Sequence, residues 1–217
     1  MIKMKNKQKK QLMIIIPSII MVLFLTFLLV SGTNQVVGKK YDIVSVNEID
    51  VENYRIDYIF WSDCGACYNL TLALNEYLAG KNFITLHKTP ATGGGWNVDA
   101  KLYHTIEEIV RDNKMHVRNI YNGYVNQIHS RNNPLRTPDQ KFAYLSDHLN
   151  ISIDDFENVF NSPQVENRLR RSQSINNQLN VRTVPQLLIN GQYKINMQDY
   201  SSYQEIFTEI EDIFRNH

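Results

Sequence analysis

Two cysteines separated by two residues, Cys64-Gly65-Ala66-Cys67, sit between an apolar run and an amphipathic one, and the chain has no others. Residues 54–61 (Tyr, Arg, Ile, Asp, Tyr, Ile, Phe, Trp) are rich in aromatic and β-branched side chains and read as a buried strand. After the cysteines, Leu70, Leu74, Tyr77 and Leu78 recur at helical spacing, and Gly80 is a natural stop. The pair therefore stands where a strand gives way to a helix. A disulfide between such close neighbours staples almost nothing, so the spacing points to chemistry rather than to cross-linking.

The junction says what that chemistry is. Cys64, at or just before the first helical turn, faces unpaired backbone N–H groups and the positive end of the helix dipole. Both favour a thiolate over a thiol, so its pKa should fall below about 8.5. The thiolate is the form that attacks a disulfide. Cys67, one turn in, is the more buried partner that resolves. A structural zinc site is the first rival, but it needs two further ligands. The six histidines (His87, His104, His116, His129, His148 and His217) are scattered without paired spacing. An inert disulfide is the second rival, disfavoured by the short loop.

Beyond the motif, residues 41–46 and 82–87 read as strands, giving strand, cysteine pair, helix, strand for the first half. Gly93-Gly94-Gly95 forms a flexible junction. A helical stretch follows. Leu102, Ile106, Ile109 and Val110 make one apolar face, and Val117, Ile120, Tyr121, Tyr124 and Ile128 make another. Thr137-Pro138-Asp139-Gln140 has the form of a capping box with proline at the first helical position, opening a helix through Leu149. Ser152 caps a short helix through Phe160, and Ser162-Pro163 opens a longer one towards Leu179. Gln186 to Ile189 returns to strand character, Asn190-Gly191 is a hairpin signal, and Tyr193-Lys194-Ile195 is the returning strand. Tyr203, Ile206, Phe207, Ile210, Ile213 and Phe214 mark a final amphipathic helix.

The N-terminus differs in kind. Lys3, Lys5, Lys7, Lys9 and Lys10 precede an uncharged apolar run from Leu12 to Val30. As a helix that run spans roughly 28 Å, close to the ~30 Å hydrocarbon core of a bilayer. Its length favours an uncleaved anchor, while the small residues Ser31 and Gly32 keep a cleaved signal open. Either reading leaves the lysines cytoplasmic and the remainder in the periplasm or outside the cell. No cysteine follows the run closely enough for a lipoprotein anchor. A net charge of +1 offers no basic face for nucleic acid.

Taken together, the chain resembles the DsbA-like family of extracytoplasmic thiol:disulfide oxidoreductases, within the thioredoxin superfamily. The resemblance rests on Phe60-Trp61-Ser62-Asp63-Cys64-Gly65-Ala66-Cys67, on the helical stretch of residues 99–172, and on Val181-Arg182-Thr183-Val184-Pro185 running into Gln186-Leu187-Leu188-Ile189-Asn190-Gly191-Gln192-Tyr193. It implies an α/β, thioredoxin-like fold built from residues 41–98 and 173–217, with residues 99–172 as an inserted helical domain. Before these come a basic tail (1–11), a transmembrane or signal segment (12–31) and a spacer (32–40). It further implies that Cys64 attacks, that Cys67 resolves, and that Val184-Pro185 forms a cis-proline turn that docks substrate as an added strand.

Two departures from the family qualify this. Its strongly oxidising members resemble one another in having Pro-His between the cysteines, where Gly65-Ala66 supplies no side chain for the thiolate. A less depressed Cys64 pKa and a less oxidising couple follow. The family also places an acidic residue in the strand beneath the motif; Asp57 is the candidate, one residue out of step, so that on strict alternation it faces the other side. Trp61, Tyr68 and Trp96 are candidates for a peptide groove, with core packing as the plainer alternative.

The resulting expectation is an oxidoreductase that needs no cofactor or metal and introduces disulfides into cysteine-containing exported polypeptides. It is reset by a membrane redox partner and reaches the membrane through its own N-terminal segment. A reductase or isomerase direction stays open. A metallochaperone holding Cu(I) between the two thiolates, and an interaction protein on a degenerate thioredoxin fold, are the rivals from other classes.

Overall fold

The computed structural model describes residues 40–111, 114–132 and 134–217. The transmembrane or signal segment expected at 12–31 lies outside the described residues, as do the tail before it and nearly all of the spacer. Among the described residues, no helix is long and apolar enough to cross a membrane.

Five strands form one mixed sheet in the order β1-β5-β4-β2-β3. They are β1 (Tyr41–Ile43), β2 (Arg55–Phe60), β3 (Thr85–Pro90), β4 (Gln186–Ile189) and β5 (Tyr193–Ile195). β2 is an interior strand, buried at all six positions, as its Ile, Tyr and Phe content requires of a strand covered on both faces. It runs parallel to β3 and antiparallel to β4, with Tyr58 opposite Leu187 and Ile56 opposite Ile189. The parallel β2–β3 pair is joined through α1 (Gly65–Tyr77), the crossover that parallel pairing demands.

Between β3 and β4 the chain is helical: α2 (Asn97–Ile109), α3 (Lys114–Ile128), α4 (Pro138–Leu149), α5 (Ile153–Phe160) and α6 (Pro163–Gln178). α7 (Tyr203–Asn216) closes the chain. Pleat alternation divides the packing. Ile56, Tyr58 and Phe60 join Leu70 and Leu74 of α1, Leu102 and Ile106 of α2, Tyr124 of α3 and Ile210 of α7 in the larger core. Ile59 and Leu188 face the other way, where Ile175 and Leu179 at the end of α6 cover them.

Local chemistry sets the boundaries. Thr137 caps α4 with a complete capping box: its side chain accepts from the Gln140 N–H, and the Gln140 side chain accepts in return. Ser152 and Ser162 cap α5 and α6 with the serine side chain alone, which accepts from the Asp155 and Val165 N–H respectively. Asn190 (φ 52°) and Gly191 (φ 73°) both take positive φ in the β4–β5 turn. At Gly191 any Cβ would lie 2.3 Å from the Asp50 carbonyl oxygen.

Several expectations shift. β3 starts three residues later than 82, because Lys81 to Ile84 instead form a turn, with the Ile84 N–H donating to the Lys81 carbonyl at 3.0 Å. Phe83 is exposed, its ring edge-on to Tyr54 at 5.4 Å. β2 starts at Arg55 because Tyr54 has φ 58°, outside the extended region. β1 ends at Ile43, since Val46 turns back to accept from the Ile49 N–H. Gly94–Trp96 is a 3-10 turn rather than a loose junction. α6 runs unbroken from Pro163 to Gln178.

Candidate active site

The strand-to-helix junction places Cys64 as the N-cap of α1, with φ −84° and ψ 112°, and Cys67 as the third helical residue. A residue in that position turns its side chain over the first unpaired amides. The Cys64 Sγ accepts the Cys67 N–H at 3.1 Å. Both cysteines are free, Cys64 half-buried and Cys67 2% exposed.

That contrast separates the two thiols chemically. Cys64 is brought down to about 6 from a thiol's ordinary value near 9. The largest cause is the hydrogen bond from the Cys67 thiol; the Cys67 and Ala66 N–H groups add to it, and partial burial opposes it. Cys67 is pushed well up, because its thiol donates to Cys64 and because it is buried. One sulfur is thus an accessible thiolate at neutral pH and the other a protected thiol. The Gly-Ala dipeptide adds the Ala66 main-chain N–H to this lowering but no side chain. Gly65 and Ala66 are exposed, and a Cβ at Gly65 would meet nothing within 4 Å.

The structure brings Val184-Pro185 to this centre from far along the chain. The peptide bond is cis, and the Cys64 thiol lies 3.7 Å from the Val184 carbonyl oxygen. The residue beneath the motif is Tyr58: its hydroxyl donates to the Cys67 carbonyl at 2.8 Å. Burial raises the Tyr58 phenol far above its usual range, so it stays a neutral donor. Asp57 points to the opposite face, where Arg55 Nε and Nη2 donate to its two oxygens at 2.7 and 2.8 Å. The alternation that put Asp57 out of step is what puts Tyr58 in step.

Of the aromatic candidates, Trp61 and Trp96 lie 6.4 Å apart and line, with Gly93 to Gly95, Val181 and Arg182, an open cleft of about 460 Å³. Tyr68 stacks on His129 at 4.8 Å. Three residues that hold the loop before Cys64, namely Asp99, His129 and Lys141, carried no sequence signal; they come from α2, the turn after α3, and α4, 38 to 78 positions away. Among the described residues, no group of three or more His, Cys, Asp or Glu side chains is placed to hold a metal ion.

No family model matches the chain. It is 26% identical over 142 residues to the thiol:disulfide interchange protein DsbA of Azotobacter vinelandii, covering 64% of this chain and 63% of that protein. It is 22% identical over 167 residues to the DsbA of Pseudomonas syringae pv. tomato, covering 74% of each. The chain thus spans somewhat under two thirds of the first of these relatives. Among solved structures, DsbA from Xylella fastidiosa superposes with a TM-score of 0.67 at 17% identity, over 83% of this chain and 96% of that one. Pseudomonas aeruginosa DsbA gives 0.65 at 20% identity, over 82% and 92%. With a cysteine pair capping the helix after β2 and a helical segment between β3 and β4, the chain has a thioredoxin-like fold and is similar to these DsbA proteins in sequence and in structure.

Proposed function

We propose that this protein is an extracytoplasmic thiol:disulfide oxidoreductase that donates disulfides to exported polypeptides. The observation that carries the reading is the split between the half-buried Cys64, whose sulfur accepts a main-chain N–H, and the buried Cys67. In the donating direction, a substrate thiolate attacks the Cys64 sulfur of the Cys64–Cys67 disulfide. A mixed disulfide forms and the Cys67 sulfur leaves with the electron pair, taking up a proton. A second substrate thiolate then attacks the substrate sulfur, and Cys64 departs as a thiolate. Two electrons pass from the substrate dithiol to the enzyme, which a membrane redox partner must reoxidise.

Val184-Pro185 serves in this scheme as the docking edge: its carbonyl already lies beside the exchanging sulfur, where an extended peptide would pair. Residues 41–98 and 173–217 form the thioredoxin-like part and 99–172 the helical insertion. Residues 12–31 act as anchor or signal, which keeps the site on the outer face of the cell membrane or in the periplasm.

The same chemistry run backwards gives a reductase or isomerase, and Gly65-Ala66 favours keeping that direction in view because it offers the thiolate no side chain. Redox equilibrium of the Cys64–Cys67 pair against glutathione decides. An oxidase reads well above the thioredoxin potential of about −270 mV; a value at that potential overturns the donating direction. Cys67→Ser should accumulate mixed disulfides with exported proteins through Cys64. Stoichiometric Cu(I) binding without any thiol oxidation would replace the whole reading.

A further inference from the structure

The loop joining β2 to Cys64 is three residues long, and each residue is held by the helical segment. The Trp61 indole Nε1 donates to Asp99 Oδ2 at 2.7 Å. The Ser62 carbonyl accepts from His129 Nε2 at 2.8 Å. Asp63 Oδ2 accepts from Lys141 Nζ at 3.1 Å. The three holders sit on α2, just past α3, and on α4. They are also tied together, since Lys141 Nζ donates to Asp99 Oδ1 at 2.7 Å and the Tyr124 hydroxyl reaches the same oxygen at 3.3 Å.

The Lys141 and Asp99 side chains are each only 7% exposed. Burying a lysine against a carboxylate rarely adds stability over apolar packing, because desolvation offsets the attraction. What this pair does is fix position. The Trp61 carbonyl accepts the Cys64 N–H at 3.2 Å, so the loop's orientation is the orientation of the N-cap. On the far side of the motif, His129 stacks on Tyr68, the residue after Cys67. The helical segment therefore grips the redox motif at both ends.

We propose that Asp99 and Lys141 are positioning residues for the redox centre. They fix residues 61–63 so that the Cys64 sulfur stays over the first amides of α1, and Lys141 offsets the Asp63 charge next to the thiolate. This rests on Cys64 being the exchanging sulfur, though not on the direction of exchange.

The test is the thiolate absorbance of the reduced full-length protein as a function of pH, which needs no substrate and so can fail independently of the enzymatic reading. Lys141→Met leaves the Asp63 carboxylate without its cation and loosens the loop. The Cys64 midpoint should rise by about half a unit to one unit. Lys141→Arg, which can still bridge both carboxylates, should restore most of it. Asp63→Asn keeps an acceptor for Lys141 but removes a negative charge, so the midpoint should fall. Opposite signs for the two substitutions distinguish positioning and charge from general loosening. A folded Lys141→Met with an unchanged midpoint overturns the proposal. Should Lys141→Met fail to fold, Asp63→Asn decides: Asp63 is 29% exposed, and an unchanged or raised midpoint in that variant overturns it equally.

Discussion

The Cys64 sulfur and the Val184 carbonyl oxygen lie 3.7 Å apart across 120 residues of chain. The contact joins the segment after β2 to the segment before β4 and leaves Cys64 as the more exposed sulfur. Iodoacetamide should therefore modify Cys64 in the reduced protein with a half-maximal rate near pH 6, while Cys67 stays unmodified until the protein unfolds. A midpoint near 9, or equal labelling of both, would contradict the assignment.

The same depression has a stability consequence. Cys64 titrates lower in the folded state than in the unfolded one, where a thiol sits near 8.5. Its contribution is complete above the unfolded value and disappears as pH falls towards 6. Urea unfolding of the reduced protein and of Cys64→Ala should differ more at pH 8 than at pH 5.5. A difference that grows on acidification has the wrong sign.

Asp57 tests the division of the sheet into two faces. Its carboxylate is occupied by Arg55 on the face away from Cys67. Asp57→Ala leaves Arg55 buried without that partner and should cost about 3–5 kcal/mol in denaturant unfolding. The Cys64 midpoint should not move. A slowed exchange rate in a folded Asp57→Asn protein would instead give Asp57 a part in the exchange.

Tyr58 should behave oppositely. Tyr58→Phe removes the donor to the Cys67 carbonyl and should cost about 1 kcal/mol. Since that carbonyl belongs to the resolving residue, the reduction potential measured against glutathione should shift as well.

Glycines give a paired prediction. Gly191→Ala forces a Cβ against the Asp50 backbone at a φ of 73° and should destabilise by about 1–3 kcal/mol in denaturant unfolding. Gly65→Ala meets nothing and should be neutral or stabilising by up to about 1 kcal/mol.

Most of the scaffold was legible because its signals are local. The Thr137 capping box, the Ser152 and Ser162 caps and the Asn190-Gly191 turn are each spelled within four residues, and each appears where expected. β3 was misplaced because Phe83 and Ile84 look like strand residues, yet Phe83 packs its ring on Tyr54 outside the sheet. The cysteine pair was legible from its spacing and its place at a strand-to-helix junction, and the cis bond at Val184-Pro185 through resemblance to a known family. The Asp99–Lys141 pair was not, since a lysine and an aspartate 42 positions apart on two amphipathic helices look like any solvated charges until the helices are packed.

Gly65 and Ala66 are both exposed, and there is open space where a Cβ at Gly65 would point. Redox poise and architecture are therefore separable inheritances in this molecule: one can drift or be selected while the other stays fixed. Gly65 is the first residue of α1, a position that accepts proline readily. A proline at position 65 would therefore enter α1 without disturbing the helix.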